Sequence, residues 1–133
     1  IAPQIKSGTI LNEDFNSSEF LGNKKIVLMF WASLCPYCHE NLKIINEIQH
    51  NYPNVIFITI NIEDSSDFMY KFIIENDYSF SVIFDENKQI AHEYNPRVLP
   101  TTYLINEKGI IDEKIEWNSD FLKKITNWEK NMK

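Results

Sequence analysis

The sequence predicts an α/β domain in which a central sheet is covered by helices on both faces. Two short, continuously apolar segments, residues 26–31 and 55–62, have the composition of strands that are buried on both faces. The segment between them repeats its apolar residues at the spacing of a helix, which indicates the order strand, helix, strand. Strand-like and helix-like segments continue to alternate to the end of the chain, and a layered α/β architecture accounts for that alternation.

The first half of the chain supplies the start of this sheet. Residues 1–22 mix turn residues with short apolar groups and predict a loose hairpin, and the strand at residues 26–31 follows. A helix begins directly after that strand and ends at the turn cluster of residues 51–54, after which the strand at 55–62 begins. The apolar positions of the helix fall close to i, i+4, i+7 and i+10: Cys38, Leu42, Ile45 and Ile48.

A second helix and a third strand follow the strand at 55–62. Ser65, Ser66 or Asp67 can cap this helix, because a short side-chain oxygen accepts a hydrogen bond from a free N–H of the first turn. We expect its apolar face to consist of Phe68, Phe72 and Ile73. Residues 80–84 predict a strand and residues 86–94 a short helix.

The last elements are a hairpin and a helix. Residues 101–105 and 110–115 flank an Asn-Glu-Lys-Gly turn and predict two antiparallel strands. A final helix is predicted from about Ser119, since its apolar residues form one stripe. The stripe consists of Phe121, Ile125, Trp128 and Met132.

Length and composition exclude several classes of protein. A chain of 133 residues predicts a single domain over residues 1–133, and 44% apolar with 14% aromatic residues excludes disorder. The net charge of −6, without a basic stripe, excludes nucleic acid as a partner. No apolar run approaches the roughly 20 residues that span a bilayer. The chain starts at Ile1 and not at Met, so we expect a segment upstream, such as a signal peptide, a membrane anchor or residues beyond an arbitrary boundary.

Cys35 and Cys38 form a C-x-x-C pair at the predicted start of a helix, which places their sulfurs within disulfide reach. The free N–H groups and the positive end of the helix dipole favour the thiolate of Cys35, the attacking species in disulfide exchange. Cys38 lies one turn further in and is suited to resolve a mixed disulfide by attacking Cys35. Pro36 fits the first turn, where its missing N–H has no cost. The pattern predicts a redox dithiol with Cys35 as the nucleophile.

Three other interpretations of the cysteines are less consistent with their context. Together with His39 they match a c-type haem attachment site, but the motif is wedged between a buried strand and its crossover helix. A structural zinc site needs about four ligands, and only the three histidines could supplement the cysteines. Two buried cysteines without a role are the third possibility. We therefore predict neither a metal nor an organic cofactor.

Two sequence strings carry a family resemblance: FWASLCPYC, after an apolar strand, and VLPTTYLINEKG, later in the chain. They resemble the thioredoxin superfamily and, more narrowly, the TlpA/ResA/CcmG-like extracytoplasmic thiol-disulfide oxidoreductases. The resemblance implies a thioredoxin-like fold with a central mixed sheet flanked by helices and an αβ insertion at about residues 65–84. It also implies that Pro100 is cis and faces the dithiol, with the backbone of Leu99 free to pair with an extended substrate segment.

The resemblance also draws attention to residues around the dithiol. We expect Pro36 and Tyr37 to belong to the partner-facing rim and to the substrate-binding surface. Trp31 is assigned to the same surface, where it could shield the disulfide from solvent; the alternative is a core residue at a strand end. The chain departs from the family pattern at Met29, which replaces a buried Asp of thioredoxins, and at Leu34, which replaces a second Trp.

Three residues are candidates for tuning the thiolate or for moving its proton. Asn41 replaces a Glu that is frequent in the TlpA-like group, and it could hold a water molecule. The Glu40 side chain could turn towards the dithiol instead, although a position on the solvated face of the helix is the simpler expectation. A protonated His39, one turn after Cys35, would stabilise the thiolate, and the alternative is an exposed polar residue without a role.

The function that follows is thiol-disulfide exchange on protein partners outside the cytoplasm. The resemblance implies a reductase that is recharged by a membrane electron donor, with cytochrome c maturation as its candidate role. Contact with the membrane is expected only through an anchor that precedes Ile1. Two alternatives stay open: an oxidase or isomerase of secreted proteins, and a redox-inert module that binds haem or copper on the same fold.

Overall fold

The computed structural model describes residues 1–10, 13–62 and 65–130 and contains the predicted alternation of strands and helices. The strands are β1 (Lys6–Gly8), β2 (Asp14–Asn16), β3 (Lys25–Trp31), β4 (Val55–Asn61), β5 (Ser81–Phe84), β6 (Thr101–Ile105) and β7 (Ile111–Glu116). The helices are α1 (Pro36–Ile48), α2 (Ser66–Glu75), α3 (Gln89–Tyr94) and α4 (Phe121–Lys130), with single 3₁₀ turns at Ser17–Phe20 and Gln49–Asn51. None of the helices in these residues is long and apolar enough to cross a bilayer.

The central sheet is mixed and has the order β5-β4-β3-β6-β7. β3 lies at its centre, pairs parallel with β4 and pairs antiparallel with β6. The edge strands β5 and β7 extend it, parallel and antiparallel respectively. β1 and β2 form a separate antiparallel hairpin, as the turn-rich start of the sequence predicts. All seven residues of β3 are buried, which explains why its sequence is almost continuously apolar.

The two faces of the sheet are covered by different elements. Val27, Met29 and Trp31 of β3 pack in a cluster with residues of α1, α2 and α4. Ile26, Leu28 and Phe30 point the other way and pack with α3 and the β1–β2 hairpin. The prediction of helices on both faces is confirmed, and the hairpin completes the cover of the second face.

The buried face of α2 differs from the prediction. Met69 and Ile73 are its buried residues, Phe72 packs at the margin of the core, and Phe68 is 49% exposed. The sequence offers adjacent apolar residues at 68 and 69, and the capping hydrogen bond from the Phe68 N–H to Ser65 sets the helix so that Met69 faces inward.

The short helix α3 begins later than the sequence predicts. Asp85 is buried, and its carboxylate accepts hydrogen bonds from the N–H groups of Ile90 and Ala91. Lys88 adopts a left-handed conformation with φ of 56°, so regular helix starts only at Gln89. In α4 the predicted stripe is confirmed for Phe121, Ile125 and Trp128, while Met132 lies outside the described residues.

Candidate active site

The two cysteines lie where the sequence places them, at the junction between β3 and α1. Cys35 is the N-cap of α1, and its Sγ accepts a hydrogen bond of 3.2 Å from the N–H of Cys38. The Cα atoms of Cys35 and Cys38 are 5.2 Å apart, and the sulfurs form a disulfide. Cys35 is half-buried, whereas Cys38 is completely buried. Of the two sulfurs, that of Cys35 is the one that solvent and partners can reach.

The N-terminus of α1 offers electrostatic stabilisation to a thiolate at Cys35. The first turn of α1 contains no acidic residue, and Pro36 occupies its first position. An N–H group that already points at Sγ in the disulfide form is available to a thiolate at the same position after reduction. The geometry therefore favours a charged sulfur at Cys35 without requiring a neighbouring cation.

The loop that precedes β6 lies directly against this sulfur. The carbonyl oxygen of Leu99 is 3.3 Å from Cys35 Sγ, and the Leu99–Pro100 bond is cis, the conformation that the resemblance implies. The Thr101 hydroxyl donates to the carbonyl oxygen of Val98 at 2.6 Å, which closes the loop on itself. Within the described residues no hydrogen bond engages the N–H of Leu99. The Leu99 backbone thus borders the reactive sulfur with its donor unused.

His39 is held by contacts other than the one expected from its spacing. Its Nε2 donates to the carbonyl oxygen of Ser33, and its ring lies against Phe72 with centroids 5.1 Å apart. Nε2 carries a proton both in one neutral tautomer and in the charged ring, so this hydrogen bond does not require a charged His39. The ring connects helix α2 to the segment just before Cys35. Within residues 1–10, 13–62 and 65–130, no side-chain hydrogen bond links His39 to Cys35.

Asn41 and Glu40, the other two candidates for tuning, have different surroundings. Asn41 is completely buried, and its Nδ2 donates to the carbonyl oxygen of Trp117 at 3.2 Å. The Oδ1 of Asn41 has no partner among the described residues. Glu40 is exposed and accepts a hydrogen bond of 3.2 Å from Asn118 Nδ2, so its carboxylate is engaged at the surface.

The assignment of Trp31 to the substrate-binding surface is not supported by its position. Its side chain is completely buried, so no partner can touch it, and its ring packs 5.5 Å from that of Phe72. It belongs to the same cluster as Cys38 and forms part of the core beneath the dithiol. Pro36 and Tyr37, by contrast, are exposed beside Cys35, as a partner-facing rim requires.

Trp117 is a residue next to the site that the sequence did not single out. It is the first residue after β7, and its N–H donates to the carbonyl oxygen of Pro100 at 2.8 Å. Its own carbonyl accepts the hydrogen bond from Asn41. These contacts join residues that are far apart in the chain, and no local pattern predicts them.

The arrangement has the parts that disulfide exchange needs. It offers one accessible sulfur at a helix N-terminus, a buried second sulfur bonded to it, and a backbone segment that borders the pair. Within the described residues, no three His, Cys, Asp or Glu side chains lie close enough together to hold a metal ion.

Known proteins share both the sequence and the fold. The AhpC/TSA family model matches residues 1–114. Sporulation thiol-disulfide oxidoreductase A of Bacillus subtilis (strain 168) is 31% identical over 112 residues, which cover 79% of this chain and 66% of that protein. Thiol-disulfide oxidoreductase ResA of Bacillus cereus is 29% identical over 114 residues, with 80% and 66% covered.

The solved structures agree. The crystal structure of StoA from Bacillus subtilis matches with a TM-score of 0.80 and 27% identity, over 95% of this chain and 98% of that chain. The predicted thioredoxin-like fold is thereby confirmed. The matches span about two thirds of the length of the curated relatives. The chain belongs to the AhpC/TSA family, within which it is a thiol-disulfide oxidoreductase similar to the StoA and ResA proteins.

Proposed function

We propose that this protein reduces disulfides in protein partners outside the cytoplasm, and that the cysteines of apocytochrome c are among its substrates. The observation that carries the proposal is the position of Cys35: half-exposed, at the N-terminus of α1, and 3.3 Å from the carbonyl oxygen of Leu99. This position allows a sulfur to attack while the neighbouring backbone holds the segment that carries the target.

The reaction proceeds in two exchanges that balance without a cofactor. In the reduced protein, the Cys35 thiolate attacks one sulfur of the substrate disulfide, forms a mixed disulfide and releases the other substrate sulfur as a thiolate. Cys38 then attacks Cys35 Sγ and releases the second substrate thiolate, while the proton of Cys38 passes through solvent to the first released thiolate. The product is the Cys35–Cys38 disulfide, the form that the structure contains.

Each turnover transfers two electrons to the substrate, so the disulfide must be reduced again before the next. We assign this step to a membrane electron donor, which would attack Cys35 in the same way because Cys38 is completely buried. The donor and the substrate therefore use the same accessible sulfur in alternation.

The Leu99 backbone supports an extended substrate. The Leu99 N–H, which has no partner among the described residues, and the carbonyl oxygen beside Cys35 are the groups that pair with an added strand. Such pairing places the substrate cysteine next to Cys35 whatever its neighbouring side chains are, since the hydrogen bonds use main-chain atoms only.

The direction of electron flow and the location are inferred from the resemblance to extracytoplasmic reductases. The N–H of Cys38 stabilises a thiolate at Cys35 and so raises the reduction potential. The His39 ring, in the same first turn, is bonded to the Ser33 carbonyl and not to Cys35.

The decisive experiment is to measure the equilibrium potential of the Cys35–Cys38 pair against glutathione. A reductase should have a value at or below about −220 mV, in the range of glutaredoxins and thioredoxin. A value near about −120 mV, typical of the oxidant DsbA, would contradict a reductase and favour an oxidase. Intact mass after purification tests the third alternative, because a covalently bound haem or a retained metal would indicate a binding module.

A further inference from the structure

The loop between β7 and α4 is fixed at the edge of the dithiol through main-chain atoms of one residue. The N–H of Trp117 is bonded to Pro100, which follows the Leu99 carbonyl that faces Cys35. The carbonyl of Trp117 is bonded to Asn41 of α1, the helix that begins with the dithiol. Asn118 adds a second bond to α1 through Glu40. Trp117 is thus held between the two segments that form the site.

The fold does not account for the indole side chain at this position. Among the described residues, the hydrogen bonds of Trp117 use its backbone, and the residue is 48% exposed. Its φ of 57° lies in the left-handed region, which is unfavourable for a bulky residue and which Gly or Asn adopts at lower cost. If only the turn conformation mattered, a small or polar residue would be expected at this position. The indole is therefore better explained by a role at the surface.

Large apolar side chains are also exposed on the other segment of the site. Leu34 is 83% exposed and Tyr37 is 48% exposed, and in the chain they flank Cys35. Aromatic side chains that are held rigidly at a surface dominate the binding energy of many protein interfaces. Residues 34–37 therefore offer apolar contacts beside the accessible sulfur, and the loop after β7 adds the exposed indole of Trp117.

We propose that Trp117 is a specificity-determining residue, whose indole contacts the side chain next to the cysteine of a bound substrate and favours an apolar or aromatic residue there. The occupant is the cysteine-containing segment of a protein substrate, because Trp117 is bonded to the same loop that borders Cys35. The inference rests on the proposed function in one respect, namely that the substrates are polypeptides.

The test compares two synthetic peptides of equal length and charge, each with one disulfide between two cysteines. The residue before the cysteines is Phe in one peptide and Ser in the other. Trp117→Asn removes the indole and suits the left-handed backbone, while Trp117→Phe retains an aromatic ring. Ile110→Ala is the matched control, since Ile110 is 38% exposed in the turn at the opposite end of the β6–β7 hairpin.

We expect Trp117→Asn to lower kcat/KM for the Phe peptide by about tenfold, mainly through KM, which is the loss typical of one important interface side chain. The rate with the Ser peptide, the rate of reduction by dithiothreitol and the reduction potential should stay within twofold or a few millivolts of wild type. Trp117→Phe should retain most of the activity on the Phe peptide, and Ile110→Ala all of it.

Equal losses with both peptides and with dithiothreitol would overturn the proposal, because they indicate a structural effect on the dithiol. Unchanged kcat/KM for the Phe peptide would overturn it as well. Failure of the proposed function looks different: the wild-type protein would then exchange with dithiothreitol but with neither peptide.

Discussion

The contact between His39 and Phe72 provides a quantitative test of how the site is supported. His39→Ala removes the hydrogen bond to the Ser33 carbonyl and the ring contact at 5.1 Å. A typical hydrogen bond contributes about 0.5–1.5 kcal/mol and an aromatic pair about the same. Because His39 is exposed, the lower half of each range applies, and we expect a loss of about 1–2 kcal/mol in the free energy of unfolding.

The measurement is urea unfolding of the oxidised protein in a double-mutant cycle with Phe72→Leu. Phe72 also packs against Trp31 and Tyr78, so its single variant reports several contacts, and the cycle isolates the one with His39. We expect a coupling energy of about 0.5–1 kcal/mol between the two positions. His39→Gln, which keeps a side-chain N–H donor but not the ring, should recover part of the loss.

The same variant separates a supporting role of His39 from an electrostatic one. A positive charge on His39, near the N-terminus of α1, would change the free energy of the reduced form by about 0.3–1 kcal/mol. This corresponds to a change of roughly 6–20 mV in the reduction potential. Since Nε2 is bonded to Ser33, we expect the potential of His39→Ala to differ from wild type by less than about 6 mV, below the effect of a charge. A coupling energy of zero would refute the structural role, and a fall in potential of about 6–20 mV would show that a charged His39 acts on Cys35.

Two further predictions concern stability away from the dithiol. Burial is the main cause that raises the pKa of Tyr94 and of Tyr103, so folding holds both phenolic protons more tightly. This stabilisation is complete below the unfolded pKa of about 10 and is lost as the pH rises above it. The free energy of unfolding should therefore fall between about pH 9.5 and 11, and it should fall less steeply in Tyr94→Phe. Equal slopes in the two proteins would contradict this. Lys25 is buried, with Nζ 3.1 Å from the Trp128 carbonyl and 4.5 Å from its ring centroid. In urea unfolding, Lys25→Met should cost about 1–2 kcal/mol, whereas the exposed control Lys123→Met should cost almost nothing, and identical midpoints would contradict the role of the amine.

Local patterns in the sequence were sufficient for the order and type of the elements. β3 is predicted because a strand buried on both faces must be apolar throughout, and α1 because its inward positions repeat with the helical period. The position of Cys35 at the start of α1 follows from the same two patterns. The face of α2 could not be predicted, because Phe68 and Met69 are both apolar and the phase depends on the cap at Ser65.

The environment of the site depends on contacts between distant parts of the chain, and these were not predictable. Trp31 ends a strand, and whether its side chain reaches the surface depends on α2, whose Phe72 covers it. Asn41 and Trp117 are 76 residues apart in sequence, yet share a hydrogen bond. His39 has the spacing for a contact with Cys35, but its ring turns towards Phe72, which a helical repeat alone does not reveal.

Trapping of mixed disulfides shows which of the two cysteines attacks, and the mechanism requires that Cys35 attacks and Cys38 resolves. Cys38→Ser and Cys35→Ser are each incubated with the same disulfide peptide, and adducts are located by mass spectrometry of tryptic fragments. Because Cys38 is completely buried and Cys35 is half-exposed, we expect a stable adduct on Cys35 in the first variant and none in the second. An adduct on Cys38, or equal trapping by both variants, would contradict the assignment of the nucleophile and the mechanism based on it.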